Sequence, residues 1–248
     1  FISVIIVCIV VGYKQVTTLP TTEPTISESE PCIDVPFIED RKPIVYIYPS
    51  SITEVSVKLG NPENITCSYP EYNNGWTVIA YPNGDLVDVN TNRNLYSLYY
   101  EANIKADFKV ANTGFVVARN DTIRFLEEKL AILGLTEHEA QEFIIYWLPI
   151  LEQNEYNYVY FATKEEIDSN MPLSIEPAPD TVIRVRMYFC GLEAPIQVKE
   201  QDLIPVQRIG YTVVEWGGIQ LESITTHRVK APHYGPHEPT IEIHKLPK

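Results

Sequence analysis

Positive charge is scarce in this chain. Its 248 residues hold 19 Lys+Arg against 33 Asp+Glu, a net charge of −14. That balance argues against phosphate-backbone binding, which needs basic patches, so no nucleic-acid partner is expected. It also speaks against adsorption to anionic lipid. Histidine is scarce where catalysis would need it. His227, His233, His237 and His244 crowd the C-terminal end, and His138 stands alone in the stretch that reads as folded. A serine- or cysteine-type hydrolase using histidine is thereby disfavoured. GxSxG, the P-loop, GxGxxG and HExxH are all missing. The pair His233 and His237 has no paired cysteine and no fixed supporting group, so it reads as a solvated tail. No metal or cofactor is expected.

Cysteine is limited to Cys8, Cys32, Cys67 and Cys190. Cleavage of a leader would remove Cys8 and leave an odd number, hence at most one internal bridge. Cys32–Cys67 is the expected pair.

What is present is β-like. The chain has 16 Tyr and 19 Pro, with 45% hydrophobic and 21% charged residues. That composition suits a globular fold rich in strands and turns. The chain opens on Phe1 with an apolar run, FISVIIVCIVVGY. It is shorter than the about 20 residues a spanning helix needs. It is expected to be a truncated membrane anchor or the h-region of a signal peptide cut ahead of Tyr13; the competing reading is a buried core strand. Residues 14–40 are a Thr/Pro/Ser/Glu-rich stalk without hydrophobic periodicity. The folded domain is expected at 41–221 and a His/Pro-rich tail at 222–248. A leader followed by a stalk implies an exported domain, secreted or held near a membrane.

Within the domain, PIVYIYP at 43–49 reads as a strand bounded by prolines. Residues 54–59 alternate, with Val55, Val57 and Leu59 on one face. Asn73-Asn74-Gly75 and Pro82-Asn83-Gly84-Asp85 are turn signals, because Asn and Gly accept positive φ. They separate strands near 64–69, 76–81 and 85–89. NLYSLYYE at 94–101 places Tyr96, Leu98 and Tyr100 on one face. Strands follow at 104–110 and 113–118, and the run reads as a β-meander.

One helical stretch interrupts it. Ile123, Leu126, Leu130 and Leu133 form a stripe, with Asn120 or Asp121 as N-cap and Gly134 as a left-handed stop. Thr136 and Glu139 spell a capping box for a second helix. Pro149 is expected to kink or end that helix near Trp147. Later strands are expected at 156–162, 181–190, 196–199 and 208–216, with a helical turn at 164–169. The predicted class is α+β: an antiparallel β-sheet or sandwich with a helical hairpin at about 121–152 packed on it.

KPIVYIYP, YNNGWTVIAYPNGDL, FLEEKLAILGL, FIIYWLP, PDTVIRVRMYF and GYTVVEWGG carry a resemblance. In this order and spacing they resemble a family of uncharacterised proteins of bacteria and microbial eukaryotes, often found behind a signal or lipid anchor. The resemblance covers about residues 42–218. It implies one exported domain and transfers no activity or site.

The candidate binding residues are Glu215, Arg184, Arg186, Trp216 and Trp76. Glu215 shares a strand face with Tyr211 and Val213, where an acid can have a raised pKa. Arg184 and Arg186 on a neighbouring strand would make an anion site with it, or only a structural ion pair. Trp76 and Trp216 lie beside glycines and are candidates for stacking on sugar. Gly217-Gly218 marks a close backbone approach or a turn. Asn64 and Asn120 begin N-glycosylation sequons, which matter in a eukaryotic secretory pathway. The reading that follows is an exported or membrane-tethered binding or structural module, with carbohydrate or protein as partner. The alternative is a hydrolase of extracellular glycan using two carboxylates.

Overall fold

The computed structural model describes residues 37–105, 113–221, 225–227 and 240–242, all within one unit, Val35–Lys248. The expected leader, most of the stalk, Cys32 and three of the tail histidines lie outside the described residues.

The chain begins with β1 (Phe37–Tyr48), β2 (Thr53–Leu59), β3 (Ile65–Tyr69), β4 (Trp76–Ala80), β5 (Leu86–Asp88) and β6 (Asn94–Leu95). β7 (Leu98–Lys105) and β8 (Thr113–Ala118) lead into the helices α1 (Thr122–Ile132) and α2 (Glu137–Leu151). Then come β9 (Tyr156–Phe161), α3 (Lys164–Asn170), β10 (Leu173–Glu176), β11 (Thr181–Leu192), β12 (Lys199–Glu200) and β13 (Thr212–Gln220). A small antiparallel pair, β14 (Thr225–His227) and β15 (Thr240–Glu242), follows.

The class is α+β. An eight-stranded sheet has the order β12-β8-β9-β11-β13-β1-β7-β3, and a five-stranded sheet the order β10-β2-β4-β5-β6. The expected meander does not form. The chain crosses between sheets, and β11 runs parallel to β13 within the otherwise mostly antiparallel larger sheet. Alternation along a strand reports how many faces are buried, not which strand lies alongside.

Two apolar cores flank the larger sheet. On one face Val45, Ile47, Leu98, Tyr100 and Val213 cluster with Val55, Val57, Trp76 and Val78 of the smaller sheet. On the other face Ile44, Tyr46, Val159, Ile183 and Trp216 cluster with Leu126, Leu130, Phe143 and Trp147 of α1 and α2. Strands covered on both sides read as nearly continuous apolar runs, and β11 and β13 are buried along most of their length.

The glycines of β13 take part in this packing. A Cβ at Gly218 would lie 2.5 Å from Cζ2 of Trp147, and one at Gly217 would lie 2.1 Å from Nη1 of Arg186. The pair therefore marks close approach from both faces inside a strand, not a turn. Phe143 meets Trp216 edge-on at 5.3 Å between ring centroids, and Trp147 meets Phe189 at 5.4 Å.

The helix signals are met in part. Gly134 has φ +88, and Leu135 N–H bonds back to Leu130 O at 3.1 Å, which closes α1 in a Schellman turn. The Thr136–Glu139 capping box is formed. Glu139 is fully buried and also accepts from both Nη atoms of Arg208 at 2.6 and 3.1 Å. Asp121 is the N-cap of α1 but makes no side-chain cap bond; it pairs with Arg124 instead. Ile123 is 46% exposed, so the buried stripe is Thr122, Leu126 and Leu130. α2 passes through Pro149 to Leu151 rather than stopping near Trp147. Pro149 and Ile145 are both exposed, so the carbonyl that the proline leaves without a donor lies on the side open to water.

β1 departs furthest from expectation. It starts at Phe37, before Arg41, and Pro43 lies inside it. Its register shifts between Arg41 and Ile44 against β13 and between Asp40 and Ile44 against β7. A central strand cannot carry a proline without such a bulge, because the ladder loses a donor.

Candidate functional site

The charged residues of β11 and β13 face the core between the two sheets. In register Arg184 lies beside Glu215 and Arg186 beside Gly217. Arg184 Nε donates to Glu215 Oε2 at 2.6 Å, and Arg186 Nη2 lies 3.3 Å from the same oxygen. Tyr100 OH donates to Glu215 Oε1 at 2.6 Å. Arg186 Nη1 donates to Asp40 Oδ1 at 3.0 Å. Arg184 Nη1 donates to Asp168 Oδ1 at 2.6 Å and to Met171 O at 2.8 Å, both at the end of α3. The result is a chain of charges from Asp168 through Arg184, Glu215 and Arg186 to Asp40.

This cluster is sealed. Glu215 is 1% and Arg186 2% exposed, and the Arg184 side chain has no exposure. Burial works to raise the Glu215 pKa, but the two guanidiniums and the Tyr100 hydroxyl outweigh it and hold it at about 2. Asp40 goes the other way. Burial raises it to about 7 against the pull of Arg186, with Glu215 adding repulsion. A protonated Asp40 leaves two acids facing two arginines, which balances the cluster. What the arrangement does chemically is pin β1, β7, β11, β13 and α3 to one another.

None of the five sequence-predicted binding residues lies at the surface. Trp216 is fully buried and Trp76 is 2% exposed, with its Nε1 donating to Pro70 O at 2.8 Å. Both glycine-flanked tryptophans are core residues, because the glycines make room for packing rather than for a ligand. The structure brings Glu215, Arg184 and Arg186 together, but as an internal ion cluster. The predicted Cys32–Cys67 bridge is not formed at its described end: Cys67 is an exposed free thiol. Asn120 is exposed and Asn64 half-buried. Among the described residues no group of three or more His, Cys, Asp or Glu could hold a metal ion, and no helix is long and apolar enough to cross a membrane.

The bulge next to the sealed cluster builds a different site. Asp40 is held inward by Arg186, while Lys42 takes φ +57 and turns its side chain towards tyrosines. Its Nζ lies 5.4 Å from the Tyr99 ring centroid and 5.5 Å from that of Tyr146. Lys42, Ile44, Tyr69, Asn94, Leu95, Tyr96, Ser97 and Tyr99 surround a depression of about 320 Å³. Tyr69 lies directly across from Tyr99 in the β3–β7 ladder. Tyr69 is 52% and Tyr96 56% exposed. Sequence alternation placed Tyr96 with Leu98 and Tyr100, but the strand breaks at Tyr96 and Ser97, which frees Tyr96 from the core face. Lysine and proline interrupting the apolar strand RKPIVYIYP were the signal that could have located the bulge.

A larger groove, about 710 Å³, lies between β8, α1 and residues 196–200. Its cations are already matched: Arg124 pairs with Asp121, and Lys129 with Glu128 and Glu200.

Comparison with known proteins adds no assignment: no protein-family model, no curated protein and no solved structure matches the chain.

Proposed function

We propose that this is an exported or membrane-tethered surface domain that binds carbohydrate at the tyrosine-lined depression. The observation that carries this reading is the pairing of two half-exposed tyrosines, Tyr69 and Tyr96, with Tyr99, Asn94 and Ser97 around one small depression. A tyrosine ring offers an apolar face to the C–H side of a sugar and a polar tip to its hydroxyls. The amide of Asn94 and the hydroxyl of Ser97 add donors and acceptors. Export is supported by the apolar run at 1–13 and the stalk that follows it. In this reading α1 and α2 form a lid over the back of the larger sheet and carry no ligand. The competing reading, a hydrolase using two carboxylates, loses its leading acid, because Glu215 is buried and bound by two arginines.

Glycan-array binding followed by calorimetry tests the proposal. Wild-type protein should bind at least one glycan class. Tyr96→Ala and Tyr69→Ala should each weaken it about ten-fold while leaving the urea midpoint nearly unchanged, as expected for exposed side chains. Absence of glycan binding by the wild type, or full retention by both variants, would reject it.

A further inference from the structure

Lys42 holds its ammonium in this depression at a backbone cost. Its φ of +57 puts a residue with a Cβ in the left-handed region, where the Cβ crowds the following carbonyl oxygen. The cost is imposed by the fold around it. Asp40 on one side is tied to Arg186, and the Cα of Pro43 on the other would sit 3.1 Å from a Cβ at Gly217. The ammonium reached by this route has no carboxylate partner among the described residues. Its neighbours are aromatic faces, which attract a cation but accept few of its three N–H donors. The chain has acid to spare, 33 Asp+Glu against 19 Lys+Arg, and the nearby cation Arg41 is paired with Glu39 at 2.8 Å. Of the other acids near this face, Glu101 interacts with Tyr99 and Tyr146, and Glu142 accepts from the Tyr46 hydroxyl.

We infer that the depression selects an acidic saccharide, with the sugar carboxylate of a uronic acid on Lys42 and the sugar face on Tyr69 and Tyr96. This rests on the carbohydrate-binding reading above and names the class of ligand within it. A neutral sugar would use the tyrosines, Asn94 and Ser97 and leave the Lys42 ammonium without a counter-charge. A carboxylate supplies the missing counter-charge, and a charge-assisted bond of this kind is roughly twice as strong as a neutral one. The chain's overall negative charge would oppose long polyanions at a distance, so recognition depends on this local contact and not on a general basic field.

The test compares oligogalacturonate with a neutral galactose oligomer of equal length, by calorimetry at low and moderate salt. Wild-type protein should bind the uronate at least ten-fold tighter, and added salt should erode that margin. Lys42→Gln should abolish the preference by lowering affinity for the uronate to that for the neutral oligomer. Lys42→Gly removes the side chain at a position whose φ glycine adopts freely, so it should show the same loss with an undiminished urea midpoint. Equal affinity of wild-type protein for the two oligomers, or a preference that survives in both variants, would overturn the inference and leave the carbohydrate reading standing. Failure to bind either oligomer or any glycan, or capture of a proline-rich peptide instead, would overturn both.

Discussion

Glu215→Gln is the sharpest probe of the sealed cluster. The substitution keeps the shape of the side chain and removes only its charge. In the wild type Oε2 faces Arg184 Nε at 2.6 Å and Arg186 Nη2 at 3.3 Å, while Oε1 accepts from Tyr100 at 2.6 Å. A glutamine has one acceptor oxygen for these donors, and its own NH2 must point at another donor. Two buried guanidiniums then share Asp40 and Asp168, and Asp40 is itself reluctant to ionise. Breaking a buried pair by removing one partner costs about 3–5 kcal/mol, because the uncompensated charge stays in the interior. With a urea m-value of about 2.5–3 kcal/mol/M for a domain of this size, the midpoint should fall by about 1–2 M. The assay is equilibrium urea unfolding followed by tryptophan fluorescence and circular dichroism at neutral pH. A loss below about 1 kcal/mol, the level of ordinary surface substitutions, would refute the reasoning. It would mean that water reaches the cluster and that the arginines never depended on Glu215.

Two further outcomes are expected. Trp147→Ala should cost about 3–5 kcal/mol, since this fully buried ring fills the space between Phe189 and Gly218; a midpoint shift under about 0.3 M urea would remove Trp147 from the core. The pH profile should carry two opposed slopes. Glu215, lowered from 4.5 to about 2, adds stability that is present above its unfolded value and lost as pH falls towards 2. Asp40, raised from 3.8 to about 7, adds stability that is full below 3.8 and lost as pH rises to about 7. Asp40→Asn should therefore flatten the decline between pH 4 and 7 in a series of urea midpoints, whereas parallel wild-type and variant profiles would contradict it.

How much could be read in advance differed by element. Thr136 and Glu139, Gly134, and the Asn-Gly turns were legible because each is a local bargain between a side chain and a nearby backbone group. The faces of β11 were legible because period two is built into an extended chain. The extent of β1 was not, because its bulge sits where Gly217 of the adjoining β13 packs against Pro43 and Arg186 of β11, one strand further, holds Asp40. Pro149 left a kink and an end both open for a similar reason: whether a helix continues past proline depends on which side of it faces water. Trp76 and Trp216 misled because a glycine beside a large ring suggests openness in sequence, while in space it admits another side chain.

By itself the sequence determined the acidic balance, the α+β class, the glycine stop of α1, the capping box of α2 and the pairing potential of Glu215 with Arg184 and Arg186. These follow from composition, periodicity and contacts within a few residues. Only the tertiary structure decided that this trio is locked between two sheets, and that residues as distant as Lys42, Tyr69, Tyr96 and Tyr99 line one depression at the surface. Strand order, the parallel placement of β11 beside β13 and the bulge in β1 set those meetings. They are settled by how whole faces bury one another, which no local window of the chain contains.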